Sequence, residues 1–180
     1  MELVLRPLSM EQGQFVFETY MAKDFPQSEL KPWPLMEALA RQGEYDMLGV
    51  FLGEEMLGYA WQFCPRGGKA VLVDYFAILP QYRGTGWGEK VVELLGNYYH
   101  IPILLESEEP TEAPDEAIAR RRLGFYSRCG MVDTGLQLRL FGVRFCILAS
   151  CKVDKARSVM EEIYDGLLGP ELAQSAVEYL

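Results

Sequence analysis

The sequence is poor in the residues that bind transition metals. Its 180 residues include one histidine, His100, and four cysteines, none of which stand in a CxxC spacing. Most zinc sites need several such ligands, so we expect no metal. Ser-His-Asp and Cys-His catalysis are also disfavoured, because His100 is the only imidazole. His100 is better interpreted as a half-exposed residue at a helix end than as a catalytic residue.

Basic residues are outnumbered, with 17 Lys and Arg against 26 Asp and Glu and a net charge of -9. Phosphate contacts by cationic side chains dominate nucleic-acid affinity, so we expect neither nucleic acid nor an anionic membrane as partner. No apolar run approaches the ~20 residues that span a bilayer. The first residues, Met-Glu-Leu-Val-Leu-Arg, also lack the pattern of a signal peptide. We therefore expect a cytoplasmic protein.

The remaining composition, 49% hydrophobic and 12% aromatic, is that of an ordinary globular domain. Repeats, low-complexity segments and Gly/Ser linkers are missing from the sequence. Alternation and helical periodicity predict the elements. Strands are expected at 2–6, 45–52, 57–63, 70–79, 101–106, 136–140 and 143–149. Helices are expected at 9–22, 35–41, 87–98, 115–129 and 153–167, with a last short helix after Gly169-Pro170.

A glycine-rich loop between an expected strand and helix carries most of the chemical information. Gly84, Gly86 and Gly88 occupy three of five consecutive positions. Glycines allow main-chain N–H groups to converge, and the N-terminus of the next helix adds partial positive charge. Such a loop favours a pyrophosphate group, held without many basic side chains. An acidic protein can thus bind a polyanionic cofactor.

Other phosphate-binding patterns fit this loop less well. A Rossmann fingerprint would explain Glu106 some twenty residues on, but the loop follows a hairpin and not a βαβ unit. A methyltransferase loop wants an acidic residue where Tyr82 stands. The P-loop fails because Glu89-Lys90 follow the wrong glycine spacing.

Two separated motifs resemble the GCN5-related N-acetyltransferase (GNAT) superfamily. The first is Gln81-x-x-Gly84-x-Gly86, and the second is the helix end from Phe125-Tyr126 to Gly130. The order of elements also resembles that family over residues 1–151. The resemblance implies an α/β (α+β) fold, with a mixed, mainly antiparallel twisted sheet flanked by helices. Residues 152–180 form a C-terminal helical extension without counterpart in the minimal family fold.

The resemblance implies acetyl-coenzyme A (acetyl-CoA) as cosubstrate, bound in a V-shaped gap between the strands ending near Leu79 and beginning near Ile103. In the family, main-chain groups at the positions of Phe76 and Ile78 bond the pantetheine arm. The positions that match those around the pyrophosphate are Gln81, Arg83, Gly84, Thr85, Gly86, Trp87 and Gly88.

The resemblance also implies that Tyr126 lies beside the coenzyme sulfur. A thiol with a pKa of ~8.5 leaves more easily when a phenol protonates it or donates a hydrogen bond to it. Candidates for the base that receives the amine proton are Asp74 and Glu106, and Glu29 is expected near the acceptor. Direct attack by a primary amine in a ternary complex is the expected reaction. A relay through Cys129 is disfavoured, because no imidazole can activate it.

Two alternatives to acetyl transfer remain open: a non-catalytic coenzyme A-binding module and a nucleotide-cofactor enzyme of Rossmann or methyltransferase type. A small-molecule amine is the expected acceptor, although its identity is not fixed by a fold. The protein should be a monomer or homodimer. An apolar stripe that includes Met160, Ile163 and Tyr164 is expected to pack on the chain's own sheet or helices rather than on a second copy.

Overall fold

One sheet of eight strands organises the chain in the computed structural model, which describes residues 2–27 and 29–180. The strands are β1 (Leu3–Pro7), β2 (Tyr45–Leu52), β3 (Glu55–Phe63), β4 (Val71–Ile78), β5 (Ile103–Glu108), β6 (Val132–Leu140), β7 (Val143–Ala149) and β8 (Val177–Tyr179). Their spatial order is β1-β2-β3-β4-β5-β7-β6-β8. Within the described residues, β4 and β5 pair in parallel and every other neighbouring pair is antiparallel. The expected mixed, mainly antiparallel sheet is confirmed.

Helices cover both faces of this sheet. They are α1 (Met10–Val16), α2 (Ala22–Asp24), α3 (Trp33–Arg41), α4 (Trp87–Tyr99), α5 (Glu116–Arg128), α6 (Ala156–Leu168) and α7 (Pro170–Ala176). A π-helical turn, Phe17–Met21, joins α1 to α2. Among the described residues, no helix has the length and apolar character required to cross a membrane.

Local sequence signals set several helix starts. Ser9 accepts a hydrogen bond from the Gln12 N–H at 3.2 Å, and the Gln12 side chain accepts one from the Ser9 N–H at 2.8 Å. This reciprocal capping box satisfies two N–H groups at the start of α1. Asp115 caps α5 in a related way, accepting from the Ile118 N–H at 2.9 Å. His100 ends α4 in the left-handed conformation, which confirms its expected place at a helix end.

Two buried clusters lie on opposite faces of the sheet. The first, which we call the α1–α6 face, includes Met36, Trp61 and Tyr164. The second, the α4–α5 face, includes Val91 and Leu95. Alternation along a strand sends neighbouring side chains to opposite faces, so β5 contributes Leu104 to the first cluster and Leu105 to the second.

The C-terminal residues pack on the chain's own sheet, as the apolar stripe predicts. Val159, Met160, Ile163, Tyr164 and Leu167 of α6 are all buried on the α1–α6 face. The end of the chain differs from the expectation of a purely helical extension. The last helix ends at Ala176, and Val177–Tyr179 then pairs with the end of β6 as strand β8. The open hydrogen-bonding edge of β6 explains this strand, because it offers partners that local periodicity cannot reveal.

Ile163 tests how strongly α6 is bound to the sheet. Its side chain is 1% exposed, so Ile163→Ala should leave a cavity and lower the free energy of unfolding by ~2–5 kcal/mol. Leu172→Ala is the matched control, because Leu172 of α7 is 45% exposed and should change stability by less than ~0.5 kcal/mol. Urea denaturation measures both. Equal small effects would mean that α6 adds little to the core.

Candidate functional site

A gap opens in the middle of the sheet where β4 and β5 part. Their parallel pairing runs from Val71–Ile103 to Val73–Leu105 and then ends. Asp74 follows as an extra residue, because Trp61 of β3 pairs with Tyr75 while its neighbour Gln62 pairs with Val73. Such a bulge bends the strand that carries it. The first residues beyond the ladder on the two strands are thus Asp74 and Glu106.

Main-chain groups of β4 face this gap. The Leu79 N–H donates to the carbonyl of Leu57 in β3 at 2.9 Å. Since main-chain groups alternate in direction along an antiparallel strand, those of Phe76 and Ile78 point away from β3. Arg83 confirms this direction, because its Nε donates to the Ile78 carbonyl at 2.7 Å. An extended ligand in the gap could therefore form main-chain hydrogen bonds with Phe76, as a neighbouring strand would.

The glycine loop closes one end of the gap. Gly84 and Gly86 have φ angles of 76° and 84°, a left-handed conformation that other residues rarely adopt. Gly86 is the N-cap of α4 and contributes no side-chain hydrogen bond to it. The N–H groups of the first turn of α4 therefore lack the usual capping acceptor. Together with the helix dipole, they form a site for an anion.

A cavity of about 400 Å³ lies between this loop, β4 and α5. Seven of the nine predicted cofactor residues line it: Phe76, Ile78, Arg83, Gly84, Gly86, Trp87 and Gly88. The other two lie nearby without lining it. Gln81 is exposed in the short turn Pro80–Tyr82, and the Thr85 hydroxyl donates to the Tyr82 carbonyl at 2.6 Å.

Phe125 and Arg128 of α5 also line the cavity; both belong to the second sequence motif, but neither was predicted to contact the cofactor. Phe125 accounts for the third glycine of the loop. A Cβ atom at Gly88 would stand 3.1 Å from the Phe125 ring, so Gly88 allows α4 and α5 to approach closely. Only the three-dimensional packing of the two helices reveals this contact.

Arg83 is held at the edge of the cavity by a residue that sequence reasoning missed. One of its terminal nitrogens lies 2.8 Å from Asp24 Oδ1, and Asp24 Oδ2 accepts from the Tyr59 hydroxyl at 2.8 Å. Asp24 lies at the end of α2, 59 positions earlier in the chain. The pair fixes the guanidinium while half of the Arg83 side chain stays exposed.

Tyr126 lies on the α4–α5 face, partly buried beside Phe125, with ring centroids 5.1 Å apart. Its neighbour Phe125 lines the cavity, whereas Tyr126 itself is not among the lining residues. Burial raises the pKa of Tyr126 to about 12, and the nearby Arg122 lowers it in part. The phenol is therefore protonated at neutral pH. No residue that the structure describes accepts a hydrogen bond from its hydroxyl, which leaves that proton available to a ligand.

Asp74 is neutralised on the opposite, α1–α6 face. Lys31 Nζ lies 2.6 Å from Asp74 Oδ1, and the Tyr45 hydroxyl donates to Oδ2 at 2.7 Å. The Asp74 side chain is 2% exposed. Burial lowers the pKa of Lys31, but Asp74, Tyr75 and Glu106 together raise it by more, so the ion pair is maintained. Both Asp74 oxygens thus have partners already.

Glu106 differs from Asp74 in its partners, because its side chain is less fully bonded. The Tyr164 hydroxyl donates to its Oε1, whereas its Oε2 accepts no hydrogen bond from any residue in the described ranges. Burial raises the pKa of Glu106, and the ammonium of Lys31 and the Tyr164 hydrogen bond counteract this rise in part. The carboxylate lies at the point where the gap begins.

Glu29 lies in the loop that covers this face of the gap. The Tyr75 hydroxyl donates to the Glu29 carbonyl and accepts from the Lys31 N–H, both at 2.8 Å. These two bonds tie the loop to β4. Burial and the Glu108 carboxylate raise the pKa of Glu29, and Arg122 lowers it. Ser28, which belongs to the same predicted loop, lies outside the described residues.

Across residues 2–27 and 29–180, no group of three or more His, Cys, Asp or Glu side chains is placed to hold a metal ion. Cys129, near the site, is partly buried. Burial and Glu89 raise its pKa, so it is a thiol at neutral pH. This state does not favour Cys129 as a nucleophile.

Comparison with solved structures identifies the fold. An acetyltransferase of the GNAT family from Bacteroides thetaiotaomicron, described as putative, superposes with a TM-score of 0.75 at 20% identity, over 92% of this chain and 98% of that one. Arabidopsis thaliana NAA60, in complex with acetyl-CoA, gives 0.60 at 10% identity, over 82% and 97%. A Bacillus subtilis acetyltransferase in complex with CoA gives 0.55 at 12%, over 84% and 99%. No family model and no curated protein matches the sequence. At these identities the similarity establishes a shared fold.

Proposed function

We propose that this chain, which has the fold of the GNAT superfamily, transfers an acetyl group from acetyl-CoA to the amino group of a small cationic molecule. One observation carries the proposal. The gap between β4 and β5 leads from the main chain of β4 beyond its pairing with β5 to the glycine loop and the uncapped start of α4. This arrangement suits a long ligand that has an amide-containing arm and a pyrophosphate.

The residues around the gap fit such a cosubstrate. The main chain of Phe76 and the N–H of Ile78 would bond the arm, because the Ile78 carbonyl already accepts from Arg83. N–H groups of the loop and of α4 would hold the phosphates. Arg83 and Arg128 bring positive charge to the cavity, and Glu89, 3.6 Å from Arg128, offsets part of it. Two structures of similar fold carry acetyl-CoA or CoA, which supports this choice of ligand.

Acetyl-CoA supplies an activated thioester, from which an amine takes the acetyl group as the thiol leaves. Tyr126 is the proton donor in this proposal. It holds its proton at neutral pH and has no acceptor for it among the described residues. Its position on α5 beside the cavity places it on the cosubstrate's face of the sheet.

Glu106 is the proton acceptor, in preference to Asp74. The proposal rests on their partners: Asp74 is paired with Lys31 and Tyr45, whereas one oxygen of Glu106 has no donor among the described residues. Glu106 also lies on the α1–α6 face, opposite the face of Tyr126. An amine that approaches from this side would cross the gap to reach the thioester.

The charge of the acceptor side favours a cationic amine. Glu29 and Glu108 lie near each other on this side, and Arg122, 3.3 Å from Glu108, offsets part of their charge. Lys31 forms its ion pair with Asp74 and also favours the Glu106 carboxylate, so one ammonium group faces two carboxylates. An ammonium group would be attracted, and Glu106 would take its proton before the attack.

Release of free thiol from acetyl-CoA, measured across a library of small amines, tests the proposal. Polyamines, amino acids, aminoglycosides and peptide N-termini should be included. We expect release with at least one small cationic amine. Acetyl-CoA binding without release for any amine would instead identify a non-catalytic coenzyme A-binding module. Stabilisation by NAD or S-adenosylmethionine but not by acetyl-CoA would contradict the proposal altogether.

Gly86→Val should abolish acetyl-CoA binding. A φ of 84° strains a β-branched residue, and its side chain would occupy the open space over the helix N-terminus. Gly96→Ala in the same helix is the control, because nothing lies within 4 Å of a Cβ there. Titration calorimetry should show no heat for the first variant and normal heat for the second. Normal heat in a folded Gly86→Val protein would refute the role of the loop.

Tyr126→Phe should keep acetyl-CoA affinity and lower turnover by ~10²–10⁴-fold, because it removes the proton needed as the thiol leaves. Tyr98→Phe is the control, since Tyr98 is 43% exposed on α4. Steady-state thiol release and a binding titration separate the two effects. Turnover equal to that of Tyr98→Phe, with chemistry limiting the rate, would assign Tyr126 to packing alone.

A further inference from the structure

Tyr164 is a buried tyrosine in a position whose packing does not require a hydroxyl. Its side chain is 1% exposed and lies in the cluster of the α1–α6 face, with Ile163 and Leu167 of the same helix. A phenylalanine would fill this space and would not bury a polar group. Burying a hydroxyl is unfavourable unless it forms a hydrogen bond. The bond that satisfies Tyr164 is the one it donates to Glu106.

This bond joins two distant parts of the chain, 58 positions apart. Glu106 stands at the first position of β5 beyond its pairing with β4. Tyr164 belongs to α6, in the segment that the minimal fold lacks. The bond engages one carboxylate oxygen, and the other accepts no hydrogen bond from the residues that the structure describes.

We propose that Tyr164 is a positioning residue: through its hydrogen bond to Glu106, the C-terminal segment becomes part of the acceptor site. This inference rests on the proposed function, in which Glu106 accepts the amine proton. The phenol fixes the side-chain rotation of Glu106, so that Oε2 faces the acceptor. It also stabilises the charged carboxylate, the form able to accept a proton.

The other charged and titratable groups around Glu106 lie on several elements. Lys31 of the loop favours the carboxylate, whereas Asp74 of β4 opposes it. Tyr75 of β4 also faces this group, and Tyr179 of β8 lies behind Tyr164. The structure places Tyr164 in direct hydrogen-bond contact with Glu106, and the effect of its hydroxyl can be separated from these neighbours by substitution.

Tyr164→Phe should raise the pKa of Glu106, because it removes a donor that favours the charged form. A hydrogen bond to a charged group corresponds to a shift of about one pH unit. Two measurements follow the shift in the full-length protein. The first is a ¹³C NMR titration of the side-chain carboxyls of labelled glutamates, where Glu106→Gln identifies the signal by its loss. The second is the acidic limb of the pH profile of kcat/KM, which should move upward by the same amount.

Tyr179→Phe is the matched control, since it removes a hydroxyl from the same C-terminal segment and should leave the titration of Glu106 unchanged. A protein with 3-fluorotyrosine at position 164, a stronger hydrogen-bond donor, should shift the pKa of Glu106 downward. This second variant keeps the packing, so the test stands even where Tyr164→Phe reduces stability.

The outcomes separate the two proposals. An unchanged Glu106 titration in both variants at position 164 would overturn the role of Tyr164. A shifted NMR titration without any shift in the pH profile would overturn it as well, because the ionisation of Glu106 would then not affect kcat/KM. A shifted titration in a protein that acetylates no amine would refute the proposed function and leave only the hydrogen bond.

Discussion

The early end of the ladder between β4 and β5 is the constraint on which the rest of the structure depends. Three residue pairs hold the two strands in parallel, and beyond them the strands continue without pairing to each other. Main-chain groups in the centre of a sheet are normally paired, because burying them unpaired is unfavourable. The bulge at Asp74 sets this separation, and the antiparallel ladders of β3–β4 and β5–β7 hold the two halves of the sheet in place.

The two faces of the sheet also carry different chemical groups near this separation. On the α4–α5 face, glycines and a helix start provide main-chain donors, and the side chains near them include Arg83 and Arg128. On the α1–α6 face, buried carboxylates and tyrosines surround Lys31. The gap is the passage between these faces. In the proposed function, a polyanionic group and a cationic amine would bind on separate sides and meet only where the strands part.

Local patterns predicted those parts of the protein that local interactions determine. The capping box at Ser9, the glycine loop and the helix end at Tyr126 each arise within a few residues, and their order along the chain suffices to expect the fold. The pair of Lys31 with Asp74 and the pair of Asp24 with Arg83 join residues 43 and 59 positions apart. Neither helical nor strand periodicity in the sequence indicates such long-range contacts. The sequence marks Asp74 as an acid in an apolar strand, but only the tertiary structure identifies its partner.

The same distinction explains how a protein of net charge -9 can accommodate phosphates. Charge summed over the chain does not determine the potential at one helix terminus, where main-chain dipoles act at contact distance. Asp24 even places a carboxylate against Arg83 at this site. That carboxylate holds the guanidinium at the edge of the cavity, 2.8 Å away. On the other face, Glu106 is the carboxylate that would attract and deprotonate an amine in the proposed function, so the acidic groups would act on the acceptor and the main-chain dipoles on the phosphates.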